Sequence, residues 1–307
     1  MLARLQQGIV FGLLLLVAAW LWWSRAFPAA VVLAGTLALL FCHAAFLALE
    51  FGLAHWLNRT DPAPRASVPT LVRAWFTESV TATRVFLWRQ PFRSNAWPDQ
   101  IAASPSGPQA GRRGVVFIHG FVCNRGLWNP WMQRLEHTRC SYVAVNLEPV
   151  LGSIDDYTST IEEAVSAVER ATGCPPLLVC HSMGGLAARA WLRSYRADHR
   201  VARIVTIGTP HHGTWLARFS HMRNGHQMRP GEGWLAQLRD DEPAERNRLF
   251  ICYYSNCDNI VLPASSATLP GADNRFIPGA PHVAMAFDAR VMEPVLAMLA
   301  LPASQTP

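Results

Sequence analysis

Lysine is absent from all 307 residues, so every basic side chain of this chain is an arginine, a feature that reads as coding bias rather than function. Charge of either sign is scarce at 16%, and the net +6 is scattered, with no dense basic run and no interleaved aromatic platform. That excludes a nucleic-acid partner. A mild positive excess beside apolar sequence suits an anionic membrane surface better. No Cys-x-x-Cys pair occurs among the seven cysteines (Cys42, Cys123, Cys140, Cys174, Cys180, Cys252 and Cys257). Their number is odd and Cys42 lies in an apolar stretch, which argues against a disulfide framework and for a reducing compartment. The spacings support neither a metal nor a redox centre, and no cofactor is expected.

What is abundant is apolar sequence, half of all residues, with the excess concentrated in residues 1–57. Gly8–Trp23 is short for a membrane span and Ala26–Leu49 is ample, at about 1.5 Å per residue across a core of roughly 30 Å. Ser24 and Arg25 separate them, Pro28 opens the second, and Trp20, Trp22, Trp23 and Trp56 suit the two headgroup zones. The expectation is a transmembrane helical hairpin over 1–57. Arg4 precedes it, only Arg25 sits at its turn, and Arg59, Arg65, Arg73 and Arg84 follow it. The positive-inside rule then puts both ends in the cytoplasm, giving a multi-pass inner-membrane protein whose catalytic part is cytoplasmic. A cleavable signal, with Arg4 as n-region and 9–23 as h-region, is the competing reading; a second apolar stretch and a poor cleavage site at Ser24–Phe27 weigh against it.

Residues 58–113 read as an amphipathic linker region. Val68, Leu71, Val72, Trp75, Phe76 and Val80 recur at three- and four-residue spacing over 66–90, which fits a helix packed on the main domain or one lying in a membrane interface. Ser104–Arg113 reads as a loop.

From Gly114 to the end, short apolar runs alternate with helical patterns, the signature of parallel strands joined by crossover helices. Strands are expected at Val115–Ile118, Tyr142–Asn146, Leu177–Cys180, Val201–Ile207, Leu249–Tyr254 and Asn274–Ile277. Helices are expected at Trp128–Glu136, Asp155–Ala171, Met183–Tyr195 and Ala289–Leu299. The result is a mainly parallel, doubly wound α/β sheet of about six strands over 114–307, with its site at the strands' carboxyl ends.

The motif with most chemistry is Cys180-His181-Ser182-Met183-Gly184-Gly185, directly after a buried-strand run. A nucleophile elbow, Gly-x-Ser-x-Gly, exposes a serine Oγ on a sharp strand-to-helix turn and needs small residues on either side so that strand and helix can approach. Gly184 meets the second requirement, and Cys180 replaces the first glycine. A serine N-cap on an ordinary helix is the plainer alternative. The amide of Met183 would face a developing oxyanion, and the His119-Gly120 turn after the first strand would bring the amide of Phe121 to the same point. A base must follow, and of the eleven histidines His282 alone comes after the last strand, at a Pro-Gly-Ala-Pro turn before the final helix. His119 reads as a turn residue and His211 as pocket wall. Asp258, after the strand Leu249–Tyr254, can accept from the imidazole, fix its tautomer and stabilise its cation. Asp273 is the fallback acid; Asp240 and Asp241 fit a solvated run, and Asp155 and Asp156 a helix start.

These pieces resemble the bacterial lipase and esterase branch of the α/β-hydrolases over roughly 114–300. They are Ile118-His119-Gly120-Phe121, the His181–Gly185 elbow, Val205-Thr206-Ile207-Gly208-Thr209-Pro210-His211, and Tyr254-Ser255-x-x-Asp258-x-Ile260-Val261 followed by His282. Small lipases of that branch carry a small residue other than glycine at the first elbow position, as Cys180 would be here. The resemblance implies Ser182 as nucleophile, His282 as base, Asp258 as acid, and the Phe121 and Met183 amides as oxyanion donors. Residues 1–113 lie outside the resemblance; together with the expected hairpin and the apolar insertion, the resemblance gives the expectation of a membrane-anchored carboxylic ester hydrolase acting on lipid or other apolar esters. An acyltransferase, thioesterase or lipid deacylase, a lactonase, and an inactive membrane scaffold are the rivals. The apolar insertion between Gly213 and Arg248 reads as a lid at 213–248 or equally as a plain surface helix pair, with Trp128, His211 and Trp215 expected to line the substrate pocket.

Overall fold

The β-branched and apolar runs after Gly114 form strands in the order in which they occur. The structure is a computed structural model that describes residues 1–101, 112–138, 140–231 and 233–301. Residues 104–111 of the expected loop therefore lie outside the described residues. Three helices come first: α1 (Leu2–Trp23), α2 (Ala29–Leu57) and α3 (Val68–Arg84), followed by a π-helical turn at Val85–Arg89 and the short α4 (Gln90–Phe92). The sheet region then runs β1 (Val115–Ile118), α5 (Asn129–Leu135), β2 (Tyr142–Ala144), α6 (Thr158–Thr172), β3 (Leu177–His181), α7 (Met183–Tyr195) and β4 (Arg203–Ile207). It continues through α8 (Arg223–Gln227), α9 (Trp234–Asp240), β5 (Phe250–Tyr254), β6 (Asp273–Phe276), α10 (His282–Met285) and α11 (Ala289–Ala300).

Among the described residues the six strands make one sheet in the order β2-β1-β3-β4-β5-β6, every ladder parallel. The chain leaves β1 for β2 on one side and returns to β3 on the other. The crevice between β1 and β3 is thus the switch point, where open α/β sheets bind ligands. β1 and β3 are buried throughout, as strands covered on both faces must be. On one face α6 and α7 pack through Ile161, Val165, Leu186 and Trp191. On the other, α5 and α11 pack with Trp128 and Trp131 around Phe117. Trp128 was expected in the substrate pocket. It lies instead fully inside this core, its ring 5.1 Å from that of Phe117.

α1 and α2 form a hairpin, tied near its tip where Trp20 Nε1 donates to the Val32 carbonyl at 3.1 Å. Both are long and apolar enough to cross a membrane, with mean hydropathy 1.8 and 2.2. The open end of the hairpin is joined to the sheet region by polar groups. Gln6 Nε2 donates to Gln90 Oε1 at 2.7 Å, and Asn124 Nδ2 donates to the Gln90 carbonyl at 3.0 Å. At the foot of α2, Asn58 Oδ1 accepts from the Ala264 amide at 3.0 Å.

α3 crosses α2, held by Trp75 Nε1 donating to the Ala44 carbonyl at 2.7 Å and by Thr83 Oγ1 against His43 Nε2 at 3.0 Å. It is amphipathic as expected, with Leu71 and Trp75 of the apolar stripe packed inward against Phe51 and Cys257 and the rest of the stripe outward. Ala74 and the carboxylate of Glu78 are buried, whereas Val68, Val72 and Phe76 are 65%, 56% and 65% exposed. Of the two expectations for this segment, packing on the main domain is what the structure shows, through Leu71, Ala74 and Trp75 against Cys257 and through Glu78 on α10.

Candidate active site

Ser182 sits where β3 turns into α7, with φ 55° and ψ −130°. A non-glycine residue at positive φ is strained, and it persists only where the surroundings impose it. Two contacts do so here. The Ser182 amide donates to the Ile207 carbonyl at 2.9 Å, and Thr209 Oγ1 donates to the Ser182 carbonyl at 2.8 Å. Gly184 allows the approach of α7 to β1, since a Cβ there would run into the Ile118 carbonyl. Cys180 fits at the first elbow position because its side chain is small and wholly buried. Met183 opens α7, where first-turn amides have no acceptor in their own helix. Phe121 follows β1 across the crevice, and the next residue, Val122, also has positive φ (52°).

Asp258 and His282 meet as the chain order suggests. His282 Nδ1 donates to Asp258 Oδ2 at 2.9 Å, both side chains being buried. Asp258 Oδ1 accepts the amides of Ile260 and Val261, each at 2.8 Å, which fixes the carboxylate. Burial works against the imidazolium. The charge of Asp258 and its hydrogen bond, with further carboxylates at Glu78 and Glu50, outweigh it and hold the His282 pKa above the usual imidazole value. Ser182 and His282 line one cavity of about 320 Å³, with Phe121 and the backbone of Gly120 beside them. No hydrogen bond joins Ser182 Oγ to the imidazole among the described residues; such contacts often tighten only with substrate bound.

The other sequence candidates lie elsewhere. Trp128 is core. His211 is buried beneath the sheet end, with Nε2 3.0 Å from Thr206 Oγ1, and its carbonyl accepts from Arg189 Nη1 at 2.9 Å. Burial and the Arg189 charge push its pKa well below the usual imidazole value. Trp215 donates its amide to the Leu262 carbonyl at 2.8 Å and meets the Phe219 ring edge to face at 5.2 Å. None of the three lines the cavity of Ser182. Nor does any described residue of 213–248. That segment is tied to the loop after β2, with Asn224 Nδ2 donating to the Val150 carbonyl at 2.9 Å and Trp234 Nε1 to Asp155 Oδ2 at 2.8 Å. Asp273, the fallback acid, pairs with Arg275 at 2.7 Å on the exposed edge strand.

α2 and α3 supply the cavity wall that 213–248 does not. Phe46 and Leu47 come from α2, Ala82 from α3 and Phe86 from the π turn, with Glu50 and Glu78 among them. The sequence reading missed four polar residues around His282: His181, Asn259, Glu50 and Glu78. His181 Nε2 donates to the His282 carbonyl at 3.1 Å, and burial lowers its pKa to about 3, so it stays neutral. His119 is a turn residue as expected, its Nε2 accepting the Leu147 amide at 3.0 Å. A signal for the two glutamates was present: Glu50 is the sole acidic residue of 1–60, and Glu78 the sole one of 62–98. A lone carboxylate in apolar sequence is expensive unless it has a task.

Residues 114–232 match the family model described as alpha/beta hydrolase fold. No curated protein matches the chain. Among solved structures, the mature form of a Bacillus licheniformis lipase aligns over 63% of this chain and 94% of its own, at 19% identity and TM-score 0.54. The propeptide form of the same lipase aligns over 66% of this chain and 53% of its own, at 20% identity and TM-score 0.54. Aspergillus fumigatus lipase B aligns over 66% and 56%, at 17% identity and TM-score 0.53. The chain thus spans about half the length of the latter two. At such identities the likeness is one of fold: this chain has the α/β-hydrolase fold, shared with lipases.

Proposed function

We propose that this α/β-hydrolase chain is a membrane-held serine hydrolase of carboxylic esters whose substrates are lipids or other apolar esters. The observation that carries the reading is the buried His282–Asp258 hydrogen bond of 2.9 Å, opening on the same cavity as a serine held in a strained strand-to-helix turn. That strain is what sets an Oγ out on an elbow. His282 takes the Ser182 proton as Oγ attacks the ester carbonyl, and Asp258 stabilises the imidazolium that forms. The amides of Phe121 and Met183 receive the oxyanion. His282 then protonates the leaving alcohol, and water, activated by the same imidazole, releases the acid from the acyl-enzyme.

The cavity walls support this substrate class, since Phe46 and Leu47 of α2, Ala82 of α3 and Phe86 of the turn after it supply apolar lining. α2 has 29 residues, so at about 1.5 Å each it is roughly 13 Å longer than a bilayer core of about 30 Å. With Trp20, Trp22 and Trp23 at the far interface, that surplus emerges on the side of the sheet region and puts Glu50 near the headgroup boundary. An acyl chain can then reach Ser182 from the bilayer, past Phe46, without crossing water.

Ser182→Ala should lower turnover of a short p-nitrophenyl ester by on the order of a million-fold. Labelling by a fluorophosphonate should vanish and thermal unfolding should be unaltered. An undiminished rate in that variant overturns the assignment.

A further inference from the structure

We propose that the two helices outside the sheet region complete the catalytic site: Glu78 of α3 and, through Asn259, Glu50 of α2 are positioning residues that hold the main chain carrying His282. This rests on the hydrolase reading above. His282 is the first residue of α10, a helix of only four residues that follows a proline- and glycine-rich turn. So short a helix has little stability of its own. Asp258 fixes the ring, but the backbone beneath it needs separate support.

That support comes from both sides. The Glu78 carboxylate accepts the two amides after His282, with Oε1 2.7 Å from the Val283 nitrogen and Oε2 3.0 Å from that of Ala284. The His282 amide donates to Asn259 Oδ1 at 3.3 Å, and Asn259 Nδ2 donates to Glu50 Oε2 at 2.7 Å. His181 of β3 holds the His282 carbonyl, with the two rings 4.7 Å apart. Glu78 is 1% exposed and, among the described residues, has no arginine partner; burial raises its pKa to about 7. An unpaired carboxylate at such depth is costly. It is tolerated where peptide N–H groups satisfy it and where a positive charge forms during the reaction, which is the state of His282 after Ser182 gives up its proton.

The ionisable groups facing the imidazole are Asp258 after β5, Glu78 on α3, Glu50 on α2 and His181 on β3, with His43 of α2 farther along the cavity wall. Three carboxylates against one imidazole favour its charged form. Removing one should therefore move the acid limb of the pH–rate profile to lower pH, an effect that mere loss of folded protein does not produce.

The test uses the chain 1–307 in phospholipid vesicles, with a short p-nitrophenyl ester and a fluorophosphonate probe. Glu78→Ala is expected to lower kcat about 100-fold, leave KM nearly unchanged and shift the acid limb downward. Glu78→Gln, which keeps one acceptor oxygen but no charge, is expected to recover part of kcat and none of the shift. Should Glu78→Ala fail to fold, Glu50→Gln and Asn259→Ala carry the test, with a smaller loss of kcat and the same sense of shift for Glu50→Gln. Unchanged kcat and acid limb in folded variants, with the parent chain active, overturn the positioning role alone. A parent chain that neither cleaves the ester nor takes the probe overturns the hydrolase reading and this one together.

Discussion

Gly208 shows how closely the site is packed. Its φ is +56°, and a Cβ there would stand 2.9 Å from Asp258 Oδ2 and 3.1 Å from His282 Nδ1. Gly208→Ala should therefore cost more than 1 kcal/mol or so of stability and, by displacing the acid–base pair, roughly 10- to 100-fold in kcat. Denaturant unfolding and ester kinetics on the same preparation check both; wild-type kcat would contradict the packing argument. The pH dependence of His282 has two opposite senses. Its pKa is raised above the unfolded value of 6.5, so its contribution to stability is present below that value and fades as pH rises through the folded one. The proposed mechanism requires the neutral ring, so kcat/KM should rise with pH through that same elevated value. A rate already at its plateau below pH 6.5 would contradict it. Ser182, His282 and Asp258 were legible because each follows a recognisable strand in chain order. Glu50 and Glu78 were not, because their spacing belongs to apolar helices and their partners lie some two hundred residues away.

At the scale of elements, α3 and the insertion 213–248 exchange the roles that their composition suggests. Both are apolar segments interrupted by charge, and periodicity reports amphipathicity without saying which face meets what. The insertion is consumed by hydrogen bonds to the loop after β2. α3 turns Val68, Val72, Phe76 and Val80 outward because its inner face is committed to the α10 amides through Glu78. An exposed apolar stripe of that kind suits a bilayer interface, where a phenylalanine side chain contributes about 1.5–3 kcal/mol. Phe76→Asp should slow hydrolysis of a vesicle-embedded lipid ester several-fold and leave the rate on a soluble short ester unchanged. Equal loss on both substrates would place Phe76 in the fold rather than at the interface. The π turn Val85–Arg89 falls just before Pro91, which has no N–H for a regular ladder. It brings Phe86 to the cavity.

At the scale of the whole molecule, the hairpin is joined to the sheet region by more than its covalent link. Gln6, Gln90 and Asn124 form a buried polar cluster behind the turn that carries Phe121, and cleavage after residue 25 would leave Gln90 and Asn124 without the partner that α1 supplies. A retained hairpin with both ends cytoplasmic is the topology we propose. An N-terminal epitope tag should then persist on the membrane-bound protein and resist protease added to intact spheroplasts, as should a C-terminal one. Loss of the N-terminal tag, or its digestion from outside, would refute this.

The succession of strands along the chain, the strand-to-helix turn at Ser182, the places of Asp258 and His282 after their strands, and the two long apolar helices were all determined by local pattern: period, run length and turn chemistry act within a few residues, so the chain displays them directly. Element ends moved, as in the fourth strand, which begins at Arg203 rather than Val201, and in the second apolar helix, which spans Ala29–Leu57 rather than Ala26–Leu49. What lies over the active site was decided only by the tertiary structure. Docking α2 and α3 on the crevice between β1 and β3 joins groups far apart in sequence, while Trp128, His211 and Trp215 pack elsewhere, against Phe117, Thr206 and Phe219. Such contacts arise from the shape and polarity of whole surfaces, and the free energy that selects them is spread over the assembled fold rather than written in any one segment.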